Sequence, residues 1–235
     1  MSISENVEAV RARILAAARR AGRDSSAVTL MAVSKTFSVE AVLEAYAAGI
    51  RVFGENRVQE FAGKVEGFRR LDLSEWHLIG HLQSNKAARA AELFAAVDSV
   101  DSVKLAEKLN AAAEKLGKIL PVLIEINVGE EEAKSGVAMG SGELGRILIE
   151  AEAWKNLAVR GLMTVPPYSE DAERARPYFR RLREIREKIA ARQVAGVSMD
   201  VLSMGMSHDF EIAIEEGSTC VRVGTAIFGE RQNLQ

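Results

Sequence analysis

A chain of 235 residues with 48% apolar content, 31 basic and 33 acidic side chains and a formal net charge of -2 can bury one large core. It carries no cationic excess to neutralise a phosphate backbone, which excludes a general nucleic-acid binder and leaves room for a small anionic ligand. The opening residues have no basic and apolar leader pattern and no run of 18 apolar residues follows, so a cytoplasmic protein without membrane contact is expected.

The first pattern, over residues 5–21, repeats Val7, Val10, Ile14, Ala18 and Ala21 three or four apart, with Arg11, Arg13, Arg19 and Arg20 between them; it predicts a leading amphipathic helix. Residues 28–33 are mostly apolar and partly β-branched, as a strand covered on both faces requires, and Lys35 falls just past their carboxyl end. Ser38 can cap a helix carrying Val39, Val42, Leu43 and Tyr46, with Gly49 as its stop. The unit then recurs. Strands are predicted at 50–53, 76–80 and 95–100, each followed by helical spacing: Val58, Phe61, Ala62 and Val65, then 84–94, then Leu105, Leu109, Ala112 and Leu116 behind Asp101 or Ser102. Residues 120–128 form the clearest strand after the first, and the polar, glycine-rich segment 129–142 reads as a long loop beyond it.

A helix with Leu144, Ile147, Leu148 and Ala151 leads to a sixth strand at 157–164, which Pro166 and Pro167 cannot extend. Ala175, Tyr178, Phe179, Leu182, Ile185 and Ile189 make the inward stripe of the next helix, and its many Arg and Glu residues a solvated face. A seventh strand at 198–204, a short helix at 210–216 and an eighth strand at 218–223 close the pattern. Eight βα units without a linker or composition break predict one domain, residues 1–235, of the α/β class: a (β/α)8 TIM-type barrel with an extra N-terminal helix.

Several chemistries are poorly supported. Gly140-Ser-Gly142-Glu-Leu-Gly145 matches the dinucleotide fingerprint, but more than ten loop residues separate it from the strand that would have to feed it. No Gly-x-x-x-x-Gly-Lys-Ser/Thr loop is present. His77, His81 and His208 are not joined by carboxylates at ligand spacing, and Cys220, alone of its kind, can make neither a disulfide within the chain nor a cysteine metal cluster. No metal site is expected.

Two late loops point elsewhere. Leu202-Ser-Met-Gly205-Met-Ser207 and Val221-Arg-Val-Gly224-Thr225 follow the seventh and eighth strands, the positions where barrels commonly hold phosphate. Glycine lets backbone N–H groups approach an anion, and the hydroxyls of Ser203, Ser207 and Thr225 can donate to it. Lys35 would lie beside them, because strands eight and one are neighbours in a closed barrel. A loop lysine is ordinarily solvated; next to a phosphate cradle, a lysine able to attack a carbonyl suggests pyridoxal 5′-phosphate, an aldehyde with a phosphate anchor.

The motifs Ala32-Val-Ser-Lys-Thr36, Phe53-Gly-Glu-Asn56, Trp76-His-Leu-Ile-Gly-His-Leu-Gln-Ser-Asn-Lys86, Lys134-Ser-Gly136, Gly161-Leu-Met-Thr164, Leu202-Ser-Met-Gly-Met-Ser207 and the run from Gly217 to Gly229 resemble, nearly end to end, the pyridoxal phosphate homeostasis protein family. That family is a single-barrel relative of the N-terminal domain of bacterial alanine racemase. The resemblance implies that Lys35 carries the cofactor as a Schiff base, that Asn56 lies beside the ring, and that Arg222 faces the pyridine nitrogen. It implies further that Ser203, Gly205, Gly224 and Thr225 hold the phosphate.

Two functional classes follow. The first is a pyridoxal phosphate-binding protein, expected to be a monomer, that serves vitamin B6 and amino-acid homeostasis, has apo-enzymes as recipients of the cofactor, and lacks a dedicated turnover reaction. An arginine at the ring nitrogen fits it, since arginine does not give up a proton and leaves the ring a weaker electron sink. The second is an enzyme such as an amino-acid racemase, with Lys35 as one base and Tyr168, beyond Pro166 and Pro167, or less readily His81, as the other. Lys134, in the long loop on the same barrel face, is a candidate second amine that could lift the cofactor from Lys35. Glycines 129, 136, 140 and 142 would give it reach, and Glu130, Glu131 and Glu132 would tend to keep it charged.

Overall fold

The computed structural model describes residues 1–68, 71–131 and 134–230. Strands β1 (Thr29–Val33), β2 (Val52–Glu55), β3 (Glu75–Leu78), β4 (Ala96–Val100) and β5 (Leu120–Asn127) are followed by a short β6 (Val137–Ala138) and by β7 (Leu157–Met163), β8 (Val197–Met206) and β9 (Cys220–Val223). The sheet runs β4-β3-β2-β1-β9-β8-β7-β5, all parallel, and the β4–β5 pairing closes it. This is the expected eight-stranded barrel. β6 lies outside the ring as a two-residue addition to β5, pairing Val137 with Ile126 and Ala138 with Asn127. The segment read as a plain loop therefore doubles back on the strand it leaves.

Helices α1 (Ile3–Arg20), α2 (Val39–Ala47), α3 (Val58–Lys64), α4 (Ala87–Leu93), α5 (Val103–Lys115), α6 (Glu143–Glu150), α7 (Arg176–Ala190), α8 (Phe210–Glu215) and α9 (Thr225–Phe228) surround the barrel. Among the described residues four residues of helix follow β9, too few to cover the seam with β1. The leading helix fills that place: α1 packs against α8, α9 and α2, Asn6 Nδ2 donates to Ile227 O at 2.8 Å, and Arg13 and Arg20 pair with Glu211 and Glu215. Ser2 and Glu5 start α1 with a reciprocal capping box. The predicted N-terminal helix thus completes the outer ring.

The strand read at 198–204 runs Val197–Met206, and the one read at 218–223 is Cys220–Val223, so Ser203, Gly205 and Arg222 lie in strands and not in the loops after them. Two further boundaries moved for local reasons. The second strand begins at Val52, because Ile50 still belongs to the end of α2, where its N–H donates to Ala45 O past the positive-φ Gly49. The helix expected from Ser84 starts with a single 3-10 turn, Ser84–Lys86, and becomes α-helical at Ala87.

The main core fills the layer between strands and helices. Its densest part is aromatic: Trp76 stacks on Phe53 at 4.7 Å and on Phe68 at 4.5 Å, and Phe61 lies 4.8 Å from Trp76 and 4.7 Å from Phe94. Each such pair adds about 0.5–1.5 kcal/mol to its area burial. Inside the barrel the register turns Met31, Val33, Gly54, His77, Asp98, Glu125, Met163, Ser203, Cys220 and Arg222 inward. His77, Asp98, Glu125, Ser203 and Arg222 therefore put polar groups among the methionines in a space that aliphatic residues would otherwise fill.

Candidate ligand site at the barrel mouth

The carboxyl ends of β1 and β9 lie side by side, with Met31 opposite Arg222 and Ala32 opposite Val223. Lys35 leaves β1 in a turn and is half-buried. Two hydrogen bonds hold that turn, Ser34 N donating to Gly54 O at 3.0 Å and Phe37 N to Ser34 O at 3.1 Å, and within it Thr36 takes a left-handed φ of 66°. Phe37 stacks on Phe228 of α9 at 4.7 Å, so one aromatic contact ties the Lys35 turn to the loop after β9. A β-carbon on Gly224 would lie 3.5 Å from Val33 O, which places that loop directly beside the root of Lys35.

The loop after β9 presents backbone donors. Gly224 N and Ala226 N both donate to Ser207 Oγ, at 3.2 and 3.3 Å, so two amides from one loop and a hydroxyl from the loop after β8 converge on one point. An anionic oxygen at that point would receive the same amides, with the exposed hydroxyl of Thr225 next to them. Gly224, Thr225 and Ser207 therefore come together as expected. Gly205 has a different task in view. Its φ is +96°, and a β-carbon there would meet Ala213 Cβ at 2.6 Å and Phe210 Cα at 2.9 Å, so glycine is required for α8 to approach the strand.

Arg222 lies fully inside the barrel, 3% exposed. Its Nη1 donates to Ser203 Oγ at 2.7 Å and its Nη2 to Thr164 O at 2.7 Å. Ser203 is consequently an anchor for the guanidinium below the mouth, and its hydroxyl oxygen is already engaged. Burial works against the Arg222 charge, and Cys220, Asp98, Glu125 and Asp209 surround it. Glu125 is held above the usual carboxylate range by burial, with Arg222 and the Ser135 hydroxyl pulling the other way; among the described residues its Oε2 has no hydrogen-bond partner. Asp209 is likewise raised by burial while its Oδ1 accepts the Met206 amide at 2.6 Å.

Opposite this, the half-buried Asn56 follows β2, and Gly80 lies so close that a β-carbon would come 2.3 Å from Asn56 O. His77 points into the barrel with its Nδ1 3.1 Å from Asp98; burial opposes its charge, but Asp98 and then Glu75 outweigh that and push it up to about 10. His81 sits on the rim, its Nδ1 3.2 Å from Asp101. Cys220 is buried, and its thiol is pushed up to about 12.

Of the two candidates for further roles, Lys134 forms an ion pair with Glu131 and donates to Pro166 O at 3.2 Å. Glu132 lies outside the described residues. Tyr168 is 80% exposed and rests its ring 5.9 Å from that of His208. Sequence reasoning missed the Phe37–Phe228 stack and the His77–Asp98 pair; aromatic residues flanking both ligand loops were the available signal for the first.

Parallel strands closed into a barrel place a lysine beyond β1 beside converging backbone amides beyond β9, the arrangement of a ligand-binding barrel mouth. The family described as "Alanine racemase, N-terminal domain" matches residues 6–232. The pyridoxal phosphate homeostasis protein of Aquifex aeolicus is 46% identical over 233 residues, covering 99% of this chain and 100% of that protein. Its Escherichia coli K12 namesake is 42% identical, covering 97% of each. PipY of Synechococcus elongatus PCC7942, solved with PLP bound, superposes with a TM-score of 0.84 at 35% identity, over 97% of this chain and 100% of that one. Alanine racemase of Clostridium difficile 630 shares the fold alone, at a TM-score of 0.72 and 15% identity, over 99% of this chain and 58% of its own. The chain belongs to the pyridoxal phosphate homeostasis protein family, built on the barrel of the alanine racemase N-terminal domain.

Proposed function

We propose that the protein binds pyridoxal 5′-phosphate at the barrel mouth, holds it as a Schiff base on Lys35, and serves vitamin B6 and amino-acid homeostasis without a dedicated turnover reaction. The observation that carries this is the convergence of the Gly224 and Ala226 amides on Ser207 Oγ, beside the strand that delivers Lys35. The homeostasis relatives and the ligand of PipY support the same reading. When bound, the cofactor supplies an aldehyde that a lysine amine can capture and a ring that can delocalise charge.

Each residue then has a defined task. The Gly224 and Ala226 amides and the Thr225 hydroxyl hold the phosphate, with Ser207 moving aside or joining them. Arg222, fixed by Ser203 and Thr164, faces the ring nitrogen as a donor that keeps its proton. Asn56 lines the ring from just beyond β2, and Gly205 lets α8 approach β8 close beneath the cradle. The expected setting is a cytoplasmic monomer that passes cofactor to apo-enzymes.

The test is the visible spectrum of the purified protein before and after borohydride, with peptide mapping. Pyridoxyl on Lys35, and loss of the absorption band in Lys35→Ala, are expected; an unchanged band in that variant would place the attachment elsewhere. The contact between Tyr168 and His208 at the mouth keeps an amino-acid racemase as the alternative. Turnover of several amino acids by wild type, lost in Tyr168→Phe, would favour it.

A further inference from the structure

Behind the Lys35 turn, on the side facing the helices, lies a buried polar cluster that the ligand site does not use. Val33 and Gly54 point into the barrel, so alternation turns their neighbours Ser34 and Glu55 outward, beneath α3. Both are completely buried. Ser34 Oγ donates to Glu55 Oε1 at 2.7 Å, and the Glu55 backbone is pinned by Ile79 N, which donates to its carbonyl at 2.9 Å. The countercharge is Lys64 of α3, whose Nζ stands 4.0 Å from Oε1. Among the described residues neither Glu55 Oε2 nor Lys64 Nζ has a hydrogen-bond partner.

Keeping a carboxyl here is costly. A buried acid with one unpartnered oxygen and a distant counterion forfeits desolvation energy that an aliphatic side chain would not. Among the described residues the one hydrogen bond its carboxyl makes is with Ser34, the residue preceding Lys35. That residue begins a turn whose third position, Thr36, sits at a φ of 66°, where a β-branched side chain is strained. A strained turn persists only when its surroundings over-determine it, and the Ser34 hydroxyl is held here by a carboxyl rigidly placed on the neighbouring strand.

We propose that Glu55 is a positioning residue for Lys35, acting through Ser34: the Ser34 Oγ to Glu55 Oε1 bond locks the turn that aims the lysine amine into the mouth. The proposal rests on Lys35 being the residue that captures the aldehyde. It has no part in phosphate or ring recognition, since Glu55 and Ser34 face away from the barrel interior.

The experiment compares equilibrium binding of pyridoxal 5′-phosphate with that of pyridoxamine 5′-phosphate, which has the same ring and phosphate but no aldehyde for a lysine to capture. Ser34→Ala and Glu55→Ala are expected to weaken the aldehyde form about tenfold while leaving the amine form unchanged, because misaiming one reacting group affects only the bond it makes. Glu55→Gln, which retains an acceptor for the Ser34 hydroxyl, should bind both like wild type. Parallel losses for the two ligands would show a merely structural cluster and overturn the proposal, as would an unaltered aldehyde affinity in Ser34→Ala. Lys35→Ala is the reference. If it too fails to discriminate the ligands, the assignment of Lys35 falls; if it discriminates and Ser34→Ala does not, the positioning role alone falls.

Discussion

Arg222 and Ser203 form a closed pair inside the barrel: the guanidinium donates through Nη1 to the serine hydroxyl at 2.7 Å, and both residues are out of reach of solvent. The serine sits on β8 and the arginine on β9, so the bond crosses the two strands whose loops build the anion cradle. Ser203→Ala would leave one face of a buried cation without its acceptor, at a cost of about 1–3 kcal/mol. Urea unfolding at neutral pH measures it. An unaltered midpoint would mean that Arg222 finds another acceptor, and Ser203 would return to the list of phosphate donors.

Thr225→Ala should weaken pyridoxal 5′-phosphate more than pyridoxal, because a hydrogen bond to a charged acceptor is worth about 1.5–3 kcal/mol and only the first ligand offers one. Titrations followed by absorbance decide it. Equal losses for both ligands would assign the residue to the integrity of α9.

For Lys134, the ion pair with Glu131 and the bond to Pro166 O hold the amine on the rim. Lys134→Ala is expected to leave equilibrium cofactor binding nearly intact and to slow transfer to an apo-enzyme acceptor. Transfer rates are read from recovery of the acceptor's activity. Identical rates in mutant and wild type would remove Lys134 from the hand-over.

His77 gives the barrel a pH dependence of definite sign. Its folded pKa of about 10 lies above the ordinary value of 6.5, so the charged ring is bound more tightly by the folded protein. The stabilisation is fully present below the ordinary value and is lost as pH rises through the folded one. Melting temperature should therefore fall across that alkaline window in wild type, and Asp98→Asn should flatten the fall while lowering stability at neutral pH. A flat wild-type profile would show that the imidazole is already neutral.

The order of strands, the leading helix and the neighbourhood of Lys35 with Gly224 were legible because each rests on local periodicity or on barrel closure. What escaped needed distance information. Glu125 hides within an apolar run, and nothing in Leu-Ile-Glu-Ile-Asn announces that it faces Arg222. Ser203 and Ser207 look alike in the motif, yet the first lies within β8 under Arg222, and only the second, just past the end of that strand, reaches the cradle amides. The strand β6 is two residues long, below what a period-two pattern can signal.

The left-handed Thr36 has a consequence for anyone who would make this protein sturdier. Glycine there would relieve about 1 kcal/mol of backbone strain. A campaign selecting for heat tolerance would reach that substitution early. The relaxed turn would also let the lysine beside it sample more directions, so thermal hardening and ligand capture would be traded against each other at a single codon.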